Sequence, residues 1–223
     1  MSTNILKTDE NLHRCTRSGS LSARGPIEAT GKDYQWLIWG LGRCDGTVRI
    51  MNGHQKSSPR VGHGYDLHRL EPVSPVGVGR PMVLAGCRID HDRGPVSHSD
   101  GDAVLHAVTD AILGALGQPD IGELFPNNDP KFESMSSDVF LTKAVDLMRK
   151  NGFEIGNVDI TVICQRPKIS KYKPAMMRQI TTLLGCDGGQ VNLKGKTHEE
   201  VDAVGEGRAI EVHAVILLLP QES

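Results

Sequence analysis

The stretch HSDGDAVLHAVTDAILGALG, residues 98–117, decides how the chain is read. After a polar start, apolar residues recur at helical spacing, and Val104, Ala107, Val108, Ala111 and Leu116 share much of one face. Ser99 or Asp100 is placed to cap this helix. Upstream, VGHGYDLH (61–68) reads as a short strand punctuated by glycine, and MVLAGCRI (82–89) as a second extended segment. Downstream, DVFLTKAVDLMRKNG (138–152) is an amphipathic helix with Gly152 at C′. VDITVICQ (158–165) is a strand rich in β-branched residues, and PAMMRQITTLLG (174–185) is a third helix closing on glycine. VNLKGKT (191–197) and AIEVHAVILLL (209–219) are a short and a long strand. This order predicts an α/β (α+β) layer, a small mixed four-stranded sheet with helices packed on one face.

The bulk numbers narrow the class. With 223 residues, 25 basic and 27 acidic, the chain fits one domain plus an extension, and it has no global basic field for nucleic acid. No apolar run approaches the length of a membrane span. Five cysteines with no C-x-x-C pair argue against a disulfide framework. A reducing, cytoplasmic (bacterial) compartment is the expectation. The composition changes near Arg60: residues 1–60 carry nine basic and five acidic residues and both tryptophans, Trp36 and Trp39. They read as a disordered or non-conforming extension, and 61–220 as the folded domain. A transit peptide is the alternative, against which Asp9, Glu10 and Glu28 count mildly.

Asp66 and His68 are two apart on a strand, so both side chains project from one face. A carboxylate beside an imidazole suits zinc, and three protein ligands with an open fourth position make a catalytic site. His106 is the candidate third ligand, with Asp102 and Asp110 one turn away on either side to accept its other ring N–H. Taken alone, D-x-H is a common pattern, and a histidine on an apolar helix is more often a satisfied core group than a ligand.

Taken in order, GHGYDLH, HSDGDAVLHAVTDAILGALG, DIGELFPNNDP, GNVDITVICQRPKI and the KT-x-E segment resemble the 2-C-methyl-D-erythritol 2,4-cyclodiphosphate synthase family over nearly all of 61–219. The resemblance implies a homotrimer with active sites between subunits. It implies zinc held by Asp66, His68 and His106, and a second divalent cation, magnesium or manganese, on Glu199. The substrate it implies is a CDP-linked methylerythritol bearing a second phosphate. That phosphate attacks the β-phosphorus, a cyclic diphosphate forms and CMP leaves. His98 and Thr197 are implied as the catalytic, transition-state-stabilising pair, and His98 and Ser99 as phosphate donors. Asp120, Ile121 and Gly122 match the segment for the methylerythritol hydroxyls, and Phe125, Pro126, Asn127, Asn128 and Asp129 the substrate loop. Cys164 and Lys168, within CQRPKIS, match the cytidine site.

Some positions depart from the family's pattern. Ala203 stands where phenylalanine is frequent, and Lys196 replaces a common threonine. Glu206 and Arg208 look like an inverted charge pair and are expected to meet across a subunit boundary. Two other functions fit the bare residues: a zinc-dependent phosphoester hydrolase, and a non-catalytic nucleotide-binding trimer with structural zinc.

Overall fold

A computed structural model describes residues 58–126 and 135–221. The reading of residues 1–60 as an extension therefore falls almost entirely outside the described residues, as do Asn127, Asn128 and Asp129.

The sheet is built on β1 (Arg60–Pro72), which pairs antiparallel with β7 (Ala209–Pro220) over ten residues, from Arg60↔Leu218 to Arg69↔Ala209. β7 pairs antiparallel with β5 (Phe153–Ile163), and β5 runs parallel to β6 (Val191–Lys196). A three-residue edge strand, β4 (Arg93–Pro95), adds to the far side of β1, so the mixed sheet has five strands in the order β4-β1-β7-β5-β6. Four of these come from segments with strand patterning. The fifth is too short to carry a periodic signal.

MVLAGCRI does not join the sheet. It forms a separate hairpin of β2 (Val83–Leu84) and β3 (Cys87–Arg88). Its two turn residues, Ala85 and Gly86, both have positive φ, of 52° and 71°. Two consecutive left-handed residues make the tight reversal that joins adjacent strands.

The helices α1 (Ala103–Leu116), α3 (Ser137–Lys150) and α4 (Lys173–Leu184) cover one face of the sheet. The short α2 (Ile121–Leu124) and α5 (Asp202–Gly205) sit in connections. On β7 the helix-facing residues Ile210, Val212, Ala214, Ile216 and Leu218 are all buried. The opposite face keeps Val61, Tyr65, Leu67 and Val215 exposed. α1 is not half-exposed, as its sequence pattern suggests, but buried nearly all round: β1 and β7 lie beneath it, and α3 packs beside it. Its N-cap is Asp102 rather than Ser99 or Asp100.

The seating of α1 on β1 has a steric origin. A Cβ on Gly62 would lie 1.8 Å from the carbonyl oxygen of Ala111, and one on Gly64 1.8 Å from that of Ala107. Only a residue without a side chain lets the helix backbone approach a strand this closely. Gly64→Ala forces either the helix or the strand to move, since a backbone carbonyl cannot rotate away. We expect a loss of about 3 kcal/mol, at the upper end for overpacking, read from the midpoint of urea unfolding. A variant as stable as the parent would show that this contact does not set the helix position.

Candidate metal centre

Gly62, Gly64, Asp66 and His68 share the helix-facing side of β1 by the two-residue repeat. The glycines lie under the body of α1, so the next two positions meet its first turns, where His106 projects. Ligand atoms of Asp66, His68 and His106 all lie within 4.8 Å of one another. Asp66 Oδ2 is 3.0 Å from His106 Nδ1 and 3.2 Å from His68 Nδ1. His68 Nδ1 is buried and makes no hydrogen bond in spite of this proximity. An orphaned imidazole nitrogen, a second one and a carboxylate oxygen facing one point form the donor set expected around a divalent cation. Burial alone would raise the Asp66 carboxyl, but the imidazoles of His106 and His68 outweigh it and hold the pKa down at about 2. Burial likewise disfavours a charged His68, but the Asp66 carboxylate outweighs it and shifts the imidazole above its ordinary value.

Neither Asp102 nor Asp110 meets the other ring nitrogen of His106 as expected. Asp102 is fully buried and accepts from the N–H groups of Val104 and Leu105 as an N-cap, and from those of Ala85 (2.8 Å) and Gly86 (2.6 Å) in the hairpin turn. Burial, with Asp100 nearby, raises its carboxyl to about 6 against the lowering effect of those N–H groups. Asp110 accepts from the Ile121 N–H at 2.8 Å and so anchors α2. His106 Nε2 is instead 2.8 Å from Ser137 Oγ, on α3.

The triad opens into a cleft of about 300 Å³, lined also by His98, Ser99, Ile121, Gly122 and Phe125. Arg69, Ser97 and Phe140 line it as well, and no motif marks them. Asp120 caps α2 by accepting from Glu123 N–H at 2.9 Å, and Pro126 is exposed.

A second, larger cavity of about 1010 Å³ lies elsewhere on the chain, with Cys164, Lys168, Lys196, Thr197 and Glu199 in its wall. His91 and Asp92 also line it, and no motif marks them. Thr197 Oγ1 donates to Glu199 Oε1 at 2.9 Å. Burial pushes the Cys164 thiol up to about 11, which leaves it neutral and packed rather than nucleophilic. The expected residues that line a cavity thus divide between two, with no lining residue in common. Glu206 and Arg208 pair within the chain, with Arg208 Nε donating to Glu206 Oε2 at 2.6 Å. The two residues precede β7 in a turn through Gly207 (φ 72°), so neighbours can pair locally.

Comparison with known proteins places these features in context. Residues 59–219 match the model of the YgbB family. The chain is 56% identical over 160 residues to the chloroplastic 2-C-methyl-D-erythritol 2,4-cyclodiphosphate synthase of Arabidopsis thaliana, covering 72% of this chain and 67% of that one. It is 42% identical over 159 residues to the Geobacter sulfurreducens enzyme of the same name, covering 71% of this chain and 98% of that one. Among solved structures it resembles a CDP complex of IspF from Plasmodium falciparum, with a TM-score of 0.65 and 42% identity over 74% of this chain and 98% of that one. The expectation of a bacterial cytoplasm is not supported, because the plant relatives are chloroplastic proteins. Among the described residues no helix is long and apolar enough to cross a membrane.

If the triad is a metal centre, protein dialysed against zinc and then passed through a desalting column retains one ion per chain by elemental analysis. Asp66→Ala and His106→Ala lose it while keeping the helical circular dichroism of the parent. Retention of a full equivalent by both variants would place the metal elsewhere.

Proposed function

We infer the function from one premise: the chain belongs to the YgbB family, whose relatives named above are 2-C-methyl-D-erythritol 2,4-cyclodiphosphate synthases. The chain converts 4-diphosphocytidyl-2-C-methyl-D-erythritol 2-phosphate to 2-C-methyl-D-erythritol 2,4-cyclodiphosphate, with release of CMP, in non-mevalonate isoprenoid synthesis. It is a cyclising phosphorus–oxygen lyase. The observation that carries this reading is the convergence of Asp66, His68 and His106 on one point at the wall of a cleft that also holds His98 and Ser99.

The chemistry asks little covalent work of the protein. Nucleophile and electrophile are in one molecule, so the protein must fold the substrate into an in-line pose and neutralise the phosphates. Asp66, His68 and His106 would hold zinc, which would supply Lewis-acid stabilisation of the charge on a phosphate oxygen. His98 and Ser99 donate hydrogen bonds to the phosphate carried by the methylerythritol. The Gly122 backbone and the Asp120 carboxylate take its hydroxyls, joined by Phe125, Pro126, Asn127, Asn128 and Asp129. In the larger cavity Cys164 and its neighbours up to Ser170 hold the cytidine, Lys168 faces phosphate and Thr197 donates to the diphosphate. Glu199 supplies a hard carboxylate oxygen for magnesium or manganese. Lys196, in the same wall, adds positive charge where CMP departs.

The separation of the two cavities supports a trimer in which the metal cleft of one subunit is completed by the nucleotide cavity of its neighbour. The outer sheet face supports it too, because Val61, Tyr65, Leu67 and Val215 lie exposed together where a second sheet can cover them.

Purified protein given the CDP-linked substrate with zinc and magnesium should produce the two coupled phosphorus resonances of a cyclic diphosphate together with CMP. Thr197→Ala should slow turnover by about 100-fold or more, the scale for losing one donor to developing charge. Light scattering should give three times the chain mass. Linear phosphates would instead support hydrolysis, and a folded, zinc-loaded protein with no turnover would leave a nucleotide-binding role.

A further inference from the structure

His106 is gripped at both ring nitrogens, and the grip on the outer one comes from a helix that contributes none of the three ligands. Nδ1 faces Asp66. Nε2 is 2.8 Å from Ser137 Oγ, at the first residue of α3, and 3.4 Å from Ser99 Oγ. Ser137 is fully buried, and its hydroxyl also makes a short hydrogen bond to Asp100 Oδ1. Asp100 collects further donors: the N–H of Ser137 at 3.0 Å, the hydroxyl of Ser136 at 3.4 Å and the N–H of Asp102 at 3.2 Å.

Donor and acceptor accounting orders this chain. A carboxylate surrounded by donors only accepts, so the single Ser137 hydroxyl proton goes to Asp100. The Ser137 oxygen is then an acceptor for His106, which places a proton on Nε2. Nδ1, which faces the Asp66 carboxylate at 3.0 Å, is then the nitrogen left to turn its lone pair to a cation held where Asp66 and His68 converge. Metal-binding histidines commonly donate their other ring N–H to an acceptor that fixes tautomer and orientation. Here the acceptor is a hydroxyl that passes on the pull of a carboxylate.

We propose that Ser137, backed by Asp100, is a positioning residue for His106 and sets the metal affinity of the Asp66–His68–His106 triad. The proposal rests on reading that triad as a metal centre. It gives Asp100 a role apart from the phosphate contacts of His98 and Ser99, and it ties the start of α3 to the metal-binding end of α1.

Ser137→Ala tests it, because the main-chain N–H of residue 137 still donates to Asp100 Oδ2 and holds the start of α3 there. Zinc affinity, measured by competition with a chromophoric chelator, should fall 10- to 100-fold, with the urea midpoint little changed. In a second measurement, NMR of zinc-loaded wild-type protein labelled with nitrogen-15 should show His106 coordinated through Nδ1, with an Nε2 proton that exchanges slowly. Zinc binding by Ser137→Ala within twofold of the parent would overturn the proposal. So would coordination through Nε2, or an Nε2 proton that exchanges as fast in the parent as in the variant. If the parent itself bound no zinc, the metal-centre reading would fail first and this proposal with it.

Discussion

The backbone of α1 lies directly on the backbone of β1, and the rest of the molecule is arranged around that contact. Two glycines on one face of a strand leave no side chain between strand and helix, so the Ala107 and Ala111 carbonyls come within what would be bonding distance of any Cβ at Gly64 and Gly62. The same strand face continues, by the two-residue repeat, into Asp66 and His68. The glycines thus determine how deep the helix sits, and depth decides whether His106 reaches the other two ligands. At the N-terminal end Asp102 locks the arrangement from a second direction. Its buried carboxylate is shared between the first N–H groups of α1 and the turn of the β2–β3 hairpin. Replacing a carboxylate with four N–H partners by an apolar residue would leave those donors unpaired in the core.

Electrostatics follow from this packing. A largely buried carboxylate would ordinarily favour its neutral form, but Asp66 is held ionised by two imidazoles on the same side. That arrangement pre-assembles a negative oxygen and two nitrogens before any cation arrives. His106 is further fixed by the hydroxyl of Ser137, so the geometry owes something to three elements: β1, α1 and α3. The second cavity lies at the ends of β5 and β6, with Cys164, Lys168, Lys196 and Thr197 in its wall. A diphosphate-bridged substrate needs both kinds of surface at once. Within the described residues they form separate clefts, which is the physical argument for completing each site with a neighbouring subunit.

Much of this is legible before any coordinates, for reasons that differ by residue. Asp66 and His68 announce themselves because a strand has a strict repeat of two, and His106 because a polar side chain interrupts an apolar helix. The three long helices and the four patterned strands follow from periodicity. β4 does not, because three residues carry no period, and the β2–β3 hairpin reads only as one extended segment because its turn depends on a left-handed Ala85 that composition does not reveal. The burial of α1 nearly all round is invisible too: Asp110 suggests a wet face, yet it is half-buried and anchors α2, and within the helix Gly114 alone stays exposed. Ser137 lies 31 positions from His106 and reads locally as the start of a helix, so its partnership exists only in three dimensions. Glu206 and Arg208 meet within the chain because a glycine turn, not an extended strand, separates them.

The central claim is that β1 and α1 together build a three-ligand cation site with one position left for substrate oxygen. Anomalous diffraction at the zinc edge, from crystals grown with zinc and CDP, tests it most directly. The account predicts one strong peak per chain, bonded to Asp66, His68 and His106 Nδ1, with a phosphate oxygen or water as the fourth ligand. A peak held by four protein side chains, or one away from this triad, would contradict it.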